Sequence, residues 1–531
     1  MTKTYLGLRG KKLQALSIWA VICPAYILFG YNNAVAGGLL DLPAWIKYFP
    51  QINTLTTEGV QQEHNSTLQG AVVALYTLGC FFGSLSCVFI GDYLGRIRTI
   101  ILGATVTIIG AILQASSFSL GQLIVGRLVA GCGFGALTAT APNWQSECAG
   151  IQRRGPHVML IGVFIGTGLS IAAWVNFGVS HVAGDVGWRF PLALPAFWAL
   201  PVIIVIPFLP ESPRWLLKQG KEEEARHVLS ILRDVEPNSE QIDFVVQEIQ
   251  ASLAITGQAK FSDLLTNGRQ RLFHRTVLAA VCQMFQMIGG VNAIAFYISP
   301  IFAEDLKLAP PKPAILGAAF FMVLAFSAPI GVATVDRLGR RRLMMICSTG
   351  MGVCLAVVAG ALSRQDVRAV DIVAVTFIYI FNFFFAIGWL GLPFLFCTEI
   401  APLSHRVPIT AISTGSTWLW AFVVALVTPV GLTNLSNRYY IIYAVLNLGL
   451  VLPGVYFFFP ETSGRSLEEV DEIFVTSKSI FDTVRVARDA RTRRPLTVTD
   501  FGSEHSSNQG TVAKEAPHHV EELTRTELKE A

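Results

Sequence analysis

The chain has 531 residues, 52% of them apolar and 14% charged, with a mean hydropathy of +0.52 and a formal net charge of +4. That balance excludes a set of water-facing domains, and the basic residues stand at the ends of apolar runs instead of along one face, which excludes a nucleic-acid binder. The nine cysteines lie almost entirely inside apolar runs without C-x-x-C or metal-ligand spacing, so they read as packing residues, and no disulfide, metal or other cofactor is expected.

The N-terminus, MTKTYLGLRGKK, carries four basic residues ahead of an apolar run too long for a signal-peptide core, so it reads as an anchor that stays. Stretches long enough to cross a bilayer as helices run from Leu13 to Gly37, Leu68 to Ile90, Thr99 to Phe118, Leu120 to Trp144, His157 to Ser180 and Phe190 to Leu209. After a polar stretch come Phe273 to Phe302, Ala314 to Val335, Leu343 to Leu362, Asp371 to Cys397, Ile409 to Leu432 and Tyr439 to Phe459. The expected fold is therefore an all-α membrane protein with twelve transmembrane helices. The short connections on the side of the N-terminus hold 13 Lys and Arg against 7 on the other side, which puts both termini in the cytosol. On that topology the Asn65-Ser66-Thr67 sequon faces outward and is a candidate glycosylation site.

Two polar regions remain. Residues Glu211 to Arg271 include KEEEARHVLSILRDV and QIDFVVQEIQASL, whose apolar spacing predicts two short amphipathic helices between the halves. From about Thr476 to Ala531 large apolar residues are few, and a disordered tail is expected. The chain thus divides into a cytosolic N-terminus (1–12), a six-helix bundle (13–209), a linker (210–272), a second six-helix bundle (273–459) and a terminal motif with its tail (460–531).

An internal repeat carries the architecture further. GDYLGRIR from Gly91 recurs as VDRLGRRR from Val335, a shift of 244, and PESPR from Pro210 recurs as PETSGR from Pro460, a shift of 250. Glu147 with Arg154 recurs as Glu399 with Arg406, a shift of 252. Every copy sits at a helix end on one face, as expected of two duplicated bundles that rock about a central site. The GCGFG run from Gly131 to Gly135 lies inside an apolar helix with no strand before it, so it reads as a small-residue packing face, not a nucleotide loop. With no Walker A sequence there is no case for an ATP-driven pump, and no nucleotide or nucleic-acid partner is expected.

These residues name a family. FGYNNAVAGG, GDYLGR, GRLVAGCGFG with PNWQSE, RRG, PESPRWL, FQMIGGVNAIAFY, VDRLGRR, GWLGLPFLFCTEIAP and PETSGRSLEE together resemble the sugar porter family of the major facilitator superfamily, in a layout that looks fungal. The resemblance spans all twelve helices and leaves out only the tail. A GDxxGR loop places an Asp and an Arg at a helix junction where each finds a dipole or a partner, so Asp92 should pair with Arg96 and Asp336 with Arg340. What the family adds is that Glu147, Arg154, Glu211, Arg214, Glu399, Arg406, Glu461 and Arg465 form a charge network gating the cytosolic face.

A sugar needs amides and hydroxyls for its OH groups and a flat aromatic for its C–H face. Gln286, Asn292 and Tyr297 in helix 7 are the family's polar positions, and the six residues from Gln286 to Asn292 span about 9 Å of helix, the scale of a sugar ring. Phe394, Thr417 and Trp418 complete the candidate substrate site. The pattern departs from that of monosaccharide porters: Gly162, Met287, Phe296, Phe394, Thr417 and Ala421 stand where the family places Gln, Gln, Tyr, Trp, Gln or Asn, and Asn. A pocket with fewer amides suits a bulkier, less polar or differently hydroxylated solute than glucose, such as a disaccharide, a cyclic polyol or an acid. Proton-coupled sugar porters read FGYD in helix 1, with that Asp facing an Arg in helix 4. Here Asn32 takes the Asp position with Arg127 retained at similar depth, so the pair is expected to orient helices without carrying a proton.

The expectation is a non-enzymatic secondary transporter for a sugar or sugar-like polyol, resident in the plasma membrane and working as a facilitator. A proton-coupled symporter, or a nutrient sensor built on a transporter fold, is the alternative. The partners expected are the solute and the lipid bilayer.

Overall fold

Long runs of apolar residues free of Asp and Glu have one way to satisfy every backbone amide in a bilayer, which is to close into helices. The computed structural model describes residues 5–490 apart from 41, 55–56, 58, 149–153, 183, 257–260, 269, 299–300, 303–310, 364–367, 403–404 and 466, so the expected tail at 491–531 lies outside the described residues. Among the described residues there is no strand, and twelve helices are long and apolar enough to span a membrane. They are α1 (Gly10–Val35), α2 (Gly59–Leu94), α3 (Arg96–Ala115), α4 (Leu120–Cys148), α5 (His157–Val179) and α6 (Val186–Phe208). The second set is α7 (Leu272–Ala295), α8 (Lys312–Leu338), α9 (Arg340–Leu362), α10 (Ala369–Ile400), α11 (Arg406–Leu432) and α12 (Arg438–Phe458). Several outrun their apolar cores, α2 most of all, because a helix continues into polar residues once it reaches water. With an even number of spans, both termini lie on one face, called here the terminal face.

Lipid gives helices no hydrophobic reason to associate, so close backbone approach must hold them together. The GCGFG run does this as expected: a Cβ on Gly135 would sit 2.0 Å from the Cys80 carbonyl of α2, and one on Gly133 would sit 2.5 Å from the Thr107 amide of α3. Within the first half α1 packs on α5, and α3 packs on α4 and α6; within the second α7 packs on α11, and α9 on α10 and α12. The halves meet where α2 lies along α11 and α5 along α8. Large apolar side chains such as Phe89, Ile109, Ile204, Phe326 and Val445 stay exposed around the outside, which is the surface a bilayer covers.

Two spans are broken where they matter. Helix α7 is interrupted at Gly289 and Gly290, and α10 stops at Gly388 and restarts at Leu392. The cause in α10 is Pro393: it has no N–H to return to Trp389, four residues back, so that carbonyl is left open.

In the polar linker, helices form at Pro213–Lys218, Glu222–Arg233 and Glu240–Thr256. Glu222–Arg233 buries Ala225, Val228, Leu229 and Leu232 on one stripe, the amphipathic pattern its sequence predicted. Beyond α12 the chain is ordered further than its composition suggested. Asp482–Ala490 is helical, with Phe481 packed on Phe458 at 5.0 Å between ring centroids and Arg465 donating to the Ala487 carbonyl. Tertiary docking, not propensity, stabilises so short a helix.

On the face opposite the termini, the segment after α1 folds onto the first half. Trp45 and Phe49 pack against Trp188 of α6 with centroids 5.6 Å apart in both cases, Tyr48 donates to Asp185 at 2.6 Å, and Arg189 lies over Trp188 at 4.3 Å. Asn65 meets the same segment. It sits inside α2, buried, with its amide donating to the Asn53 carbonyl at 2.8 Å, which corrects the expectation of a glycan there: the acceptor nitrogen is not presented. Glycosidase treatment, or Asn65→Gln, is expected to leave the electrophoretic mobility of protein made in a eukaryotic host unchanged.

Candidate functional site

The terminal face carries two copies of one charge clamp. In the first half Arg96 reaches Asp92 at 3.2 Å and Glu147 at 3.0 Å, and Lys218 closes on Asp92 at 2.7 Å. In the second Arg340 reaches Asp336 at 2.7 Å and Glu399 at 2.8 Å. Glu211 accepts from the Arg96 and Ile97 amides at 3.2 and 3.1 Å, and Glu461 does the same for Arg340 and Arg341 at 2.8 and 3.2 Å. Each carboxylate thereby caps the open N-terminus of the next helix, where a negative charge is favoured. Gly95 and Gly339 precede those helices at φ +85°, a left-handed conformation that other residues rarely adopt. Burial pushes the Glu211 carboxyl up despite the amides that favour its charged form.

These ion pairs join helix ends within one half. Across the halves, Arg406 acts electrostatically on Glu147, and Asn143 of α4 donates to Thr410 of α11 at 2.7 Å. The repeat would set Arg154 against Glu399 in the same way, but the Arg154 side chain lies outside the described residues. Arg214 is half-buried beside this face, and Arg465 serves the post-α12 helix.

Between the halves the centre is aromatic. Phe29, Tyr76 and Phe134 come from the first half, Phe394 and Trp418 from the second, with Phe29 to Trp418 at 5.0 Å and Phe134 to Trp418 at 5.8 Å between centroids. Gln286 stands where α7 meets the break in α10, just ahead of Phe394. Its Nε2 donates to the Trp389 carbonyl at 2.6 Å, the acceptor freed by Pro393, and to the Leu390 carbonyl at 3.1 Å. Its Oε1 and the Trp418 Nε1 are buried without partners. The free donor thus belongs to the aromatic wall itself, and the free acceptor stands on α7 beside the α10 break that precedes Phe394. Asn292 donates to the Met287 sulfur at 3.0 Å, a weak acceptor, so the departure at Met287 leaves that amide readily available.

Other expected ligand groups are engaged elsewhere. Tyr297 donates to the Ala425 carbonyl at 3.1 Å, which fixes α7 to α11, and the Thr417 hydroxyl bonds back to Ser413 at 3.4 Å. Asn32 and Arg127, placed at similar depth by the sequence, form no hydrogen bond with each other. Tyr76 is the reason: Arg127 lies over its ring at 5.6 Å and donates to the Val73 carbonyl at 2.9 Å, while the Tyr76 hydroxyl faces Asn32. Two polar residues escaped the sequence reading, Gln283 and Asn143. Gln283 lies one turn before Gln286 on the same helix, and that i, i+3 spacing was the available signal.

The model for the family described as "Sugar (and other) transporter" matches residues 16–474. The chain is a sugar porter of the major facilitator superfamily. It is 35% identical over 477 residues to the sugar transporter STL1 of Saccharomyces cerevisiae, covering 89% of this chain and 83% of that one. It is 36% identical over 482 residues to the major facilitator superfamily transporter mfsA of Aspergillus fumigatus, covering 89% and 88%. The fold matches that of the proton:xylose symporter XylE bound to 6-bromo-6-deoxy-D-glucose, with a TM-score of 0.76 at 23% identity over 88% of this chain and 100% of that one. This sugar porter is therefore an integral multi-pass transporter and not an enzyme.

Proposed function

We propose that this sugar porter moves a neutral sugar or polyol across the plasma membrane by alternating access, as a facilitator, with both termini in the cytosol. The observation that carries the substrate class is the pairing of a free Gln286 acceptor and a free Trp418 donor with an aromatic wall. Hydroxyls both donate and accept, and the C–H face of a ring stacks on an indole, so a hydroxylated ring answers all three groups. The small number of free amides favours a solute other than glucose. In this reading Gln286, Asn292, Phe394 and Trp418 contact the solute, Tyr297 and Thr417 shape the wall, and the clamps around Arg96 and Arg340 keep each half rigid as the halves rock.

The facilitator reading rests on Asn32. The buried Arg127 makes no ion pair among the described residues, and an amide at position 32 has no proton to exchange at physiological pH. The experiment is uptake of radiolabelled hexoses, pentoses, disaccharides and polyols into liposomes holding the purified protein, with and without an imposed pH gradient and an uncoupler. Equilibration without accumulation is expected. Accumulation that collapses on uncoupling would establish a symporter. Asn32→Asp is expected to make transport pH-dependent, since the new carboxylate stands across the Tyr76 ring from Arg127 and titrates in a low-dielectric site. The check is the rate of uptake between pH 4.5 and 8 compared with the flat profile expected of the unaltered protein, and two flat profiles would remove Asn32 from any coupling role.

A further inference from the structure

Below the aromatic centre, toward the terminal face, a small cavity of about 10 Å³ lies between the halves. Its polar lining is Asn143, Gln283, Thr398, Thr410, Ser413 and Thr414, from α4, α7, α10 and α11. Three of the hydroxyls donate within the protein: Thr398 to Leu395, Thr410 to Arg406, and Ser413 to Ala279. The Asn143 amide nitrogen is spent on Thr410 and Ala139. Two atoms are left without partners, the Asn143 Oδ1 and the Gln283 Oε1, on side chains 2% and 1% exposed. Both are acceptors, they come from opposite halves, and no charged residue lines the space.

We propose that this cavity is a second subsite for the transported solute, on its path between the central site and the terminal face. The inference rests on the reading of the protein as a sugar or polyol porter. Two buried acceptors with no cation beside them call for a ligand that donates, while the Gln283 Nε2 and the Thr414 hydroxyl can donate in return, so a neutral hydroxyl, donor and acceptor at once, answers both. In the present structure the space holds about one water-sized group. Opening at the terminal face must break the Asn143 to Thr410 bond, the direct link between the halves here, and that separation widens the cavity around the two acceptors. Gln283 stands about 4.5 Å along α7 from Gln286, so a solute leaving the central site passes its hydroxyls from one amide to the next.

The test compares the two faces. Uptake by intact cells reads the affinity at the outer face, and uptake by inside-out vesicles from the same cells reads it at the terminal face. Gln283→Met keeps the shape and removes the acceptor. It is expected to raise the apparent KM at the terminal face by about tenfold while the outer-face value stays within about twofold. Asn143→Leu should act in the same direction, and Gln283→Asn serves as the second variant should the Met form fail to fold as judged by thermal unfolding. Gln286→Ala is the reference and should raise KM at both faces. Equal shifts at both faces, or none at either, would overturn the subsite while leaving the porter reading intact. A wild-type protein that carries no sugar or polyol of the panel would overturn both.

Discussion

Arg340→Ala is expected to give a protein that unfolds at a lower temperature and turns over at a tenth of the wild-type rate or less. The guanidinium is buried and bonds Asp336, Glu399 and Ser463, so its loss leaves the nearly buried Glu399 carboxylate with Thr462 as its remaining hydrogen-bond partner among the described residues. Removing one member of a buried pair destabilises by about 3–5 kcal/mol, because the surviving charge stays out of water without a counter-charge. Arg340→Lys should recover only part of the loss, since an ammonium does not offer the forked donors that meet two carboxylates at once. Arg96→Ala should behave alike through Glu147. Because the clamp lies at the terminal face and away from the solute, KM should change by less than about threefold; the measurement is thermal unfolding beside initial transport rates. A large affinity loss with an unchanged maximal rate would show that the clamp communicates with the central site, against the present reading.

The second large effect is expected at Gln286. Alanine there removes the solute's acceptor and also strands the Trp389 carbonyl that Pro393 leaves open. The loss to binding is about 1–3 kcal/mol, or roughly 5- to 150-fold in KM. Trp418→Phe keeps an aromatic ring in the wall but loses the indole N–H together with the second ring, and a loss of about fivefold is expected. Both follow from solute competition curves in liposomes. Wild-type affinity in Gln286→Ala would move the site elsewhere in the bundle.

The sequence made the helices legible because bilayer thickness fixes their length and lipid fixes their composition. The duplication was legible too, since GDYLGR and VDRLGR share a local job at a helix junction, and the pairs of Asp92 with Arg96 and Asp336 with Arg340 are separated by a single turn. Contacts between helices were harder. Which way a side chain points depends on rotation about each helix axis, and depth alone set Asn32 beside Arg127 when Tyr76 stands between them. The burial of Asn65 depends on the segment after α1 folding back so that the Asn53 carbonyl meets its amide, which no local pattern announces. Gln283 and Asn143 went unnoticed for a related reason: an unpartnered amide is visible only when every neighbour has been counted.

The aromatic layer after α1 has a further consequence for speed. Trp45, Tyr48 and Phe49 are riveted to α6 through Trp188 and Asp185, so the segment travels with the first half as a fixed part of it. A loop that had to detach and reseat in every cycle would impose its own opening time, on the microsecond to millisecond scale, as a ceiling on throughput. A fixed segment imposes no such ceiling, and the pace of the cycle is left to the rocking of the two halves themselves.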